Sequence, residues 1–226
     1  MELTSQRTLK IVSVDPGNNL GMACLEVDLD TKQIVVVDAH TLIIDDVIKF
    51  YHPEMLETHG TLLARTFVIN KYLNKYCESH APDYGLHETA FSSHGRKQFG
   101  NAVESFAKLR ENILAIKLAM MHYDNSMPII PINPQTVKYA VVGVQSSDKS
   151  MVSAAILAKD DLTITIDHQY LDEHGWDAIA IGYTFIKKQI FGVPKNEHSK
   201  RNQRTKRNKA KRARRRVSNS SDECDQ

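Results

Sequence analysis

The sequence predicts an α/β fold, a mixed sheet of five strands flanked by helices. Three short β-prone runs, residues 9–14, 21–27 and 33–42, come first and are joined by the turn-like segments DPGNN and DLDTK. Two further short strands, in DYGLHETAF and MPIIPIN, alternate with long segments whose apolar residues recur at helical spacing. Because strands that cross over through helices need a helical layer on each side, we expect the sheet to be covered on both faces.

Four helices account for most of the remaining chain. The segment PEMLETHGTLLARTFVINKYLNKYCESH and the long segment from Arg96 to Tyr123 both carry apolar residues at mostly helical spacing. The end of the second, ILAIKLAMM, has more apolar surface than one core-facing stripe requires. Two last helices are expected around Ser147 to Lys159 and Glu173 to Gln189.

Composition limits the classes of protein that remain. A chain of 226 residues can hold one good-sized core and a tail. No apolar run approaches the length of a membrane span, and the first residues lack the apolar middle of a signal peptide. Cys24, Cys77 and Cys224 have neither paired spacing nor nearby histidines at zinc distances, which disfavours a disulfide or zinc framework. We therefore expect a soluble, cytoplasmic protein without a membrane partner.

The net charge of +2 averages two different segments. Residues 195–226 hold 12 Lys and Arg against 4 Asp and Glu, which leaves 17 basic and 23 acidic residues in 1–194. The basic segment has almost no large apolar residue, so we expect a folded domain over 1–194 and a disordered tail over 195–226. Such a tail favours nucleic-acid binding through phosphate contacts over a merely solvated terminus, with RNA, DNA and nuclear targeting left open. The cations expected to make these contacts are Arg201, Arg204, Lys206, Arg207, Lys209, Lys211, Arg212, Arg214, Arg215 and Arg216.

Three carboxylates and one histidine stand at the ends of predicted elements. Asp15 ends the first strand, Glu88 ends the fourth, and Asp177 lies near the start of the last helix, one turn after His174. Each has an ordinary explanation alone, as a turn residue, a strand-end charge or a helix N-terminal feature. Asp177, however, is followed by AIAIG, which must face the sheet, and a carboxylate there is costly to bury without a cation or partner.

Four motifs over residues 9 to about 191 resemble those of the RuvC family of Holliday junction resolvases, nucleases with the ribonuclease H-like fold. VDPGNNLG resembles the first acidic motif, with Asp15 as the metal-binding aspartate, and LHETAF resembles the second, with Glu88. VKYAVVGVQSSDKSMV resembles the lysine-bearing segment. HGWDAIAIG resembles the closing motif, in which two metal-binding side chains three residues apart correspond to His174 and Asp177.

The resemblance implies phosphodiester hydrolysis at two Mg²⁺ ions, with Asp15 bridging both and no small-molecule cofactor. Asp172 is the substitute for His174 as a ligand, and an imidazole ligand would make Mn²⁺ unusually acceptable. Lys138 and Lys149 would contact phosphate or stabilise developing charge, giving six catalytic residues with the four metal ligands.

Phe91 corresponds to a family aromatic that stacks on a base near the junction centre, although a core phenylalanine is an equal explanation. The implied substrate is branched DNA, four-way junctions above all. Because a four-way junction is two-fold symmetric, the implied assembly is a homodimer, built on the helix from Arg96 to Tyr123. The basic tail departs from ordinary bacterial members and suits a bacteriophage source, so the expected location is a bacterial or phage-infected cytoplasm.

Two alternatives belong to other classes of protein. Sugar-kinase and actin-like folds also open with a strand, an acid and a glycine, but they need a second glycine-rich phosphate loop that this sequence lacks. The other alternative is a catalytically silent protein on the same fold that binds branched nucleic acid without cutting it. The three carboxylates favour a nuclease, whereas a histidine at position 174 leans toward the silent protein.

Overall fold

The first three strands form an antiparallel meander, as the sequence predicts. In the computed structural model, which describes residues 7–90, 101–144 and 149–192 and omits the side chains of 101–103 and 149, β1 spans Thr8–Pro16, β2 spans Leu20–Asp28 and β3 spans Ile34–Leu42. β2 pairs antiparallel with both of its neighbours. Asp15 is the penultimate residue of β1 and pairs with Gly21, so it lies inside a strand rather than in the turn.

Three parallel strands extend this meander on both sides. β4 (Tyr84–Glu88) pairs with β1, β5 (Ile129–Ile132) pairs with β4, and β6 (Leu162–Ile164) pairs with β3. The strand order is β5-β4-β1-β2-β3-β6. The α/β class with a mixed sheet is confirmed, and the short β6 makes six strands where the sequence pattern showed five. β1 is an interior strand, so its carboxyl end lies in the middle of one edge of the sheet.

Six α-helices lie within the described residues. Their bounds are α1 Ile44–Tyr51, α2 Pro53–His80, α3 Asn101–Tyr123, α4 Pro134–Val142, α5 Lys149–Leu157 and α6 Glu173–Phe185. A short 3-10 turn, His168–Tyr170, precedes α6, and a π-helical turn, Ile186–Ile190, follows it. The sequence pattern found α2, α3, α5 and α6 but not α1 or α4. None of the described helices combines the length and apolarity needed to cross a bilayer.

Helices α2 and α3 cover one face of the sheet. Val12, Val14 and Met22 from the strands meet Leu73 of α2 and Met120 of α3 in one cluster of buried side chains. Each such side chain contributes about 1.5–3 kcal/mol when it is taken out of water. This layer therefore fixes the position of β1 and of the residue that ends it.

Helix α6 covers the opposite face at very short range. A Cβ atom at Gly21 would lie 2.0 Å from the carbonyl oxygen of His174, and one at Gly182 would lie 2.5 Å from a methyl carbon of Leu25. Ser13 of β1 donates a hydrogen bond to the carbonyl oxygen of Ala178 at 2.7 Å. Because Gly21 and Gly182 are glycines, α6 can lie this close to β1 and β2. The polar residues at the start of α6 are thereby brought to Asp15.

Residues up to Ile190 form one compact unit, and Phe191 begins a second. Only Phe191 and Gly192 of that second unit lie within the described residues. The expected boundary between residues 194 and 195, and the whole basic tail, lie outside them.

Candidate active site

The candidate active site begins with Asp15 and His174. Asp15 is 9% exposed, and its Oδ2 lies 2.8 Å from Nδ1 of His174 at the start of α6. Nε2 of the same ring lies 3.8 Å from Glu173. The hydrogen bond to Asp15 raises the pKa of His174, and the nearby charges of Asp15, Asp172 and Glu173 act in the same direction while burial opposes them. In the absence of a metal, the imidazole ring thus serves Asp15 as a hydrogen-bond donor.

Glu88 and Asp177 complete the acidic group. β1 and β4 run parallel with Val14 paired to His87, so Asp15 and Glu88 are the next residues on neighbouring strands. Burial raises the pKa of Glu88 to about 8, and the negative charges of Asp15 and Asp177 add to the shift. The structure therefore brings together the three carboxylates that the sequence singled out, within electrostatic range of one another.

Lys138 supplies the opposing charge. It is an exposed residue of α4, and its charge lowers the pKa of Glu88 against the larger effects of burial and the two aspartates. The N-cap of α4 is Asn133, whose side chain accepts a hydrogen bond from the backbone N–H of Gln135, and Pro134 follows in the first turn. This cap and proline place the helix directly after β5, and so place Lys138 beside the end of β4.

The donor set fits hard divalent cations in its chemistry. Carboxylate oxygens are the ligands that Mg²⁺ prefers. Burial, and after it the negative charges of Asp15 and Asp177, raise the pKa of Glu88, so a bound cation would favour its ionised form. Among the described residues, no three His, Cys, Asp or Glu side chains are placed to hold one ion as they stand. Asp15, Glu88, His174 and Asp177 could hold metal only after their side chains shift.

Asp172, the substitute ligand, already has a structural role. It is the N-cap of α6, where its Oδ1 accepts a hydrogen bond from the N–H of Gly175 at 3.1 Å and another from the Thr41 hydroxyl. Although burial opposes ionisation, these hydrogen bonds hold the pKa of Asp172 below its usual range. Asp172 thus fixes the start of α6 to the end of β3, which positions His174.

The loop after Asp15 is held by two residues that the sequence did not indicate. The Asn112 side-chain amide, buried on α3, donates to the carbonyl oxygen of Gly17 at 2.9 Å. Arg65 of α2 donates to the carbonyl oxygen of Asn18 at 2.7 Å and pairs with Asp45. A polar residue within an otherwise apolar helix stripe was the available signal for Asn112, whereas an Arg on α2 has no local signature.

Three groups of predicted site residues cannot be placed. Lys149 begins α5, but its side chain lies outside the described residues. Phe91 and the ten tail cations from Arg201 to Arg216 also lie outside them.

Solved structures share this fold at low sequence identity. Thermus thermophilus RuvC matches with a TM-score of 0.58 and 16% identity, over 81% of this chain and 97% of that chain. T. thermophilus RuvC in complex with Holliday junction substrate gives 0.55 and 16%, over the same shares. The yeast mitochondrial Holliday junction resolvase Ydc2 gives 0.56 and 9%, over 80% of this chain and 78% of that chain.

Comparisons of sequence give no such match. No family model fits the sequence, and no curated protein matches it. The likeness therefore concerns the arrangement of strands and helices, and it agrees with the resemblance seen in the four motifs. The chain has the fold of the RuvC-like Holliday junction resolvases.

Proposed function

We propose that the chain is a divalent-metal-dependent endonuclease that cuts branched DNA, including four-way junctions, by phosphodiester hydrolysis. The observation that carries the proposal is the placement of Asp15 and Glu88 at the carboxyl ends of neighbouring parallel strands, with Asp177 within electrostatic range. Burial, with the charges of Asp15 and Asp177 added to it, raises the pKa of Glu88 to about 8. Clustered carboxylates at the end of a central strand are suited to hold cations against a phosphate. A solved relative in fold carries Holliday junction DNA, which supports the same substrate class here.

Each residue of the site has a distinct part in this chemistry. Two Mg²⁺ ions, or Mn²⁺ in their place, would activate water and offset the charge that develops on the phosphate. Asp15, fixed on an interior strand, would bridge both ions, while Glu88 and Asp177 each support one. His174 would complete a ligand shell or orient the attacking water, and the exposed cation of Lys138 would contact the scissile strand.

The chain would act as a homodimer with two sites. Leu114, Leu118 and Met121 lie on one stripe of α3 and are 59%, 44% and 52% exposed. Because no part of the described chain covers this stripe of large apolar side chains, a second copy of the chain is favoured as its partner. Two sites related by a two-fold axis would cut the two symmetric strands of a junction.

The basic tail would supply much of the affinity for DNA. The rest of the chain is acidic, with 23 Asp and Glu against 17 Lys and Arg. Phosphate contacts by the tail would be independent of sequence and weaken with salt. They would extend substrate choice toward branched DNA of several shapes.

A catalytically silent DNA-binding protein is the second candidate. It is favoured by one observation, the histidine at position 174, whose Nδ1 is hydrogen-bonded to Oδ2 of Asp15. Such a protein would bind branched DNA without cutting it.

Cleavage of a labelled four-way junction in Mg²⁺ separates the two candidates. Wild type and the matched control Asp46→Asn, a change at an exposed residue of α1, should both cut. Asp15→Asn should bind the junction and leave it intact. Binding without cutting by all three proteins would establish the silent candidate, and equal cutting by Asp15→Asn would remove Asp15 from the mechanism.

A further inference from the structure

A second concave site lies beside the candidate active site, on the opposite face of the sheet. It has a volume of about 360 Å³ and is lined by the ends of β4 and β5 and by one side of α3. Gly85 of β4 faces Met120 of α3, so His87, two residues further on, points to the same face. Glu88 therefore points away from this pocket, toward the carboxylates. The carboxyl end of β4 separates the two sites by the thickness of one strand.

His87 gives the pocket a hydrogen-bond acceptor. The side chain is 2% exposed, and its Nδ1 lies 2.9 Å from the carbonyl oxygen of Glu88. Since a carbonyl oxygen only accepts, Nδ1 carries the hydrogen, and in the uncharged ring Nε2 holds a lone pair. Nε2 is buried and has no hydrogen-bond partner among the described residues. A buried acceptor without a partner is unfavourable, and a ligand with an N–H group would satisfy it.

The other lining residues define the rest of that ligand. Arg110 and Lys117 stand two helical turns apart on α3, and none of the described residues that line the pocket is acidic. Phe106, Ile113 and Pro131 add apolar surface to the lining. The pocket thus suits a flat, largely apolar group with an N–H donor, attached to a negative charge.

We propose that the pocket receives one unpaired nucleotide of the DNA strand that crosses the candidate active site. The base lies against Phe106 and Ile113 and donates an N–H of its pairing edge to Nε2 of His87, as in other proteins that read extruded bases. Its phosphate lies against Arg110 or Lys117. This proposal rests on the proposed function, and it adds a subsite that would favour branch points, where bases are unpaired.

The test asks whether removal of one particular base from the strand weakens binding of the junction. Four-way junctions that each lack one base near the cut are bound to the full-length chain at pH 8 in EDTA, so that no cleavage is required, and affinity is read by fluorescence anisotropy. Wild type should lose about 10-fold in affinity at one position, the scale of one base contact. Arg110→Gln should bind the intact junction more weakly and lose sensitivity at that position. Ile113→Trp, which fills the pocket, should behave in the same way.

Lys108→Gln is the matched control, since Lys108 lies on the other side of α3 and is paired with Glu104. It should keep the wild-type profile, and thermal melting should show that all variants fold. The proposal is overturned if wild type has no sensitive position, or if Arg110→Gln and Ile113→Trp keep the wild-type profile.

A lower mass of Arg110→Gln by light scattering, with an unchanged base profile, would make the pocket a seat for a second copy and would also overturn the proposal. Failure of wild type to prefer junctions over duplex would instead reject the proposed function, and this subsite with it.

Discussion

Replacing Glu88 with Gln should change how the stability of the metal-free protein depends on pH. Glu88 has a pKa of about 8 in the folded chain, against 4.5 for an ordinary glutamate. Between these two pH values the folded state holds a proton that the unfolded state has lost. The free energy of unfolding contributed by Glu88 therefore falls as pH rises from about 4.5 to 8, and Glu88→Gln removes this contribution.

The size of the effect follows from the shift. Each pKa unit corresponds to about 1.4 kcal/mol, so the full shift would give an upper bound of about 5 kcal/mol. Glu88 is only half-buried, and water and side-chain movement will relieve part of that cost, so we expect about 1–3 kcal/mol. For a domain of this size that is a difference of roughly 2–12 °C in Tm.

Thermal melting in EDTA at pH 5 and pH 9 measures this contribution of Glu88 to stability. Glu88→Gln should be close to wild type at pH 5, where Glu88 is protonated, and more stable than wild type at pH 9. Glu57→Gln, at an exposed position of α2, should follow wild type at both pH values. Equal Tm for wild type and Glu88→Gln at pH 9 would refute the burial of Glu88 beside Asp15 and Asp177. Added Mg²⁺ at pH 9 should raise the Tm of wild type and leave Glu88→Gln nearly unchanged.

Three further predictions concern packing, assembly and the tail. Gly21→Ala should destabilise the fold by about 2–3 kcal/mol in denaturant unfolding, because the new methyl group would meet the carbonyl oxygen of His174; unchanged unfolding would contradict the close approach of α6. Leu118→Glu should halve the mass seen by light scattering while keeping the fold, and a wild type that is already monomeric would rule out the α3 interface. Truncation after Val193 should weaken junction binding and flatten its salt dependence, whereas an unchanged slope would show that the tail makes no phosphate contacts.

Most strands, and the strand ends that carry the candidate site residues, could be predicted from the sequence because their signals are local. The short run that stops at Glu88 marks the end of β4, and the apolar run that stops at Asp15 ends one residue before β1 does. β6 was missed because only Leu162–Ile164 pair, too few residues to show alternation. Asn133 and Pro134, a helix cap followed by a proline, indicate the start of α4. The helix was missed because this part of the chain was interpreted only through its resemblance to a lysine-bearing segment.

The geometry within the site was not readable in the same way. The bond between Asp15 and His174 joins residues 159 positions apart, and the one between Asn112 and Gly17 joins residues 95 apart. No local pattern encodes such contacts, because they depend on how α3 and α6 settle on the sheet. The sequence could indicate the carboxylates, but it could not show that the ring of His174 would form a hydrogen bond with Asp15.

The hydrogen bond between Asn112 and Gly17 links α3 directly to the loop that follows Asp15. Asn112 lies on the same helix as Leu114 and Leu118, so a rotation of α3 when a partner covers those leucines would pull on the backbone two residues after Asp15. In the proposed homodimer, docking of the second subunit on α3 would therefore be coupled to the position of Gly17, two residues after Asp15.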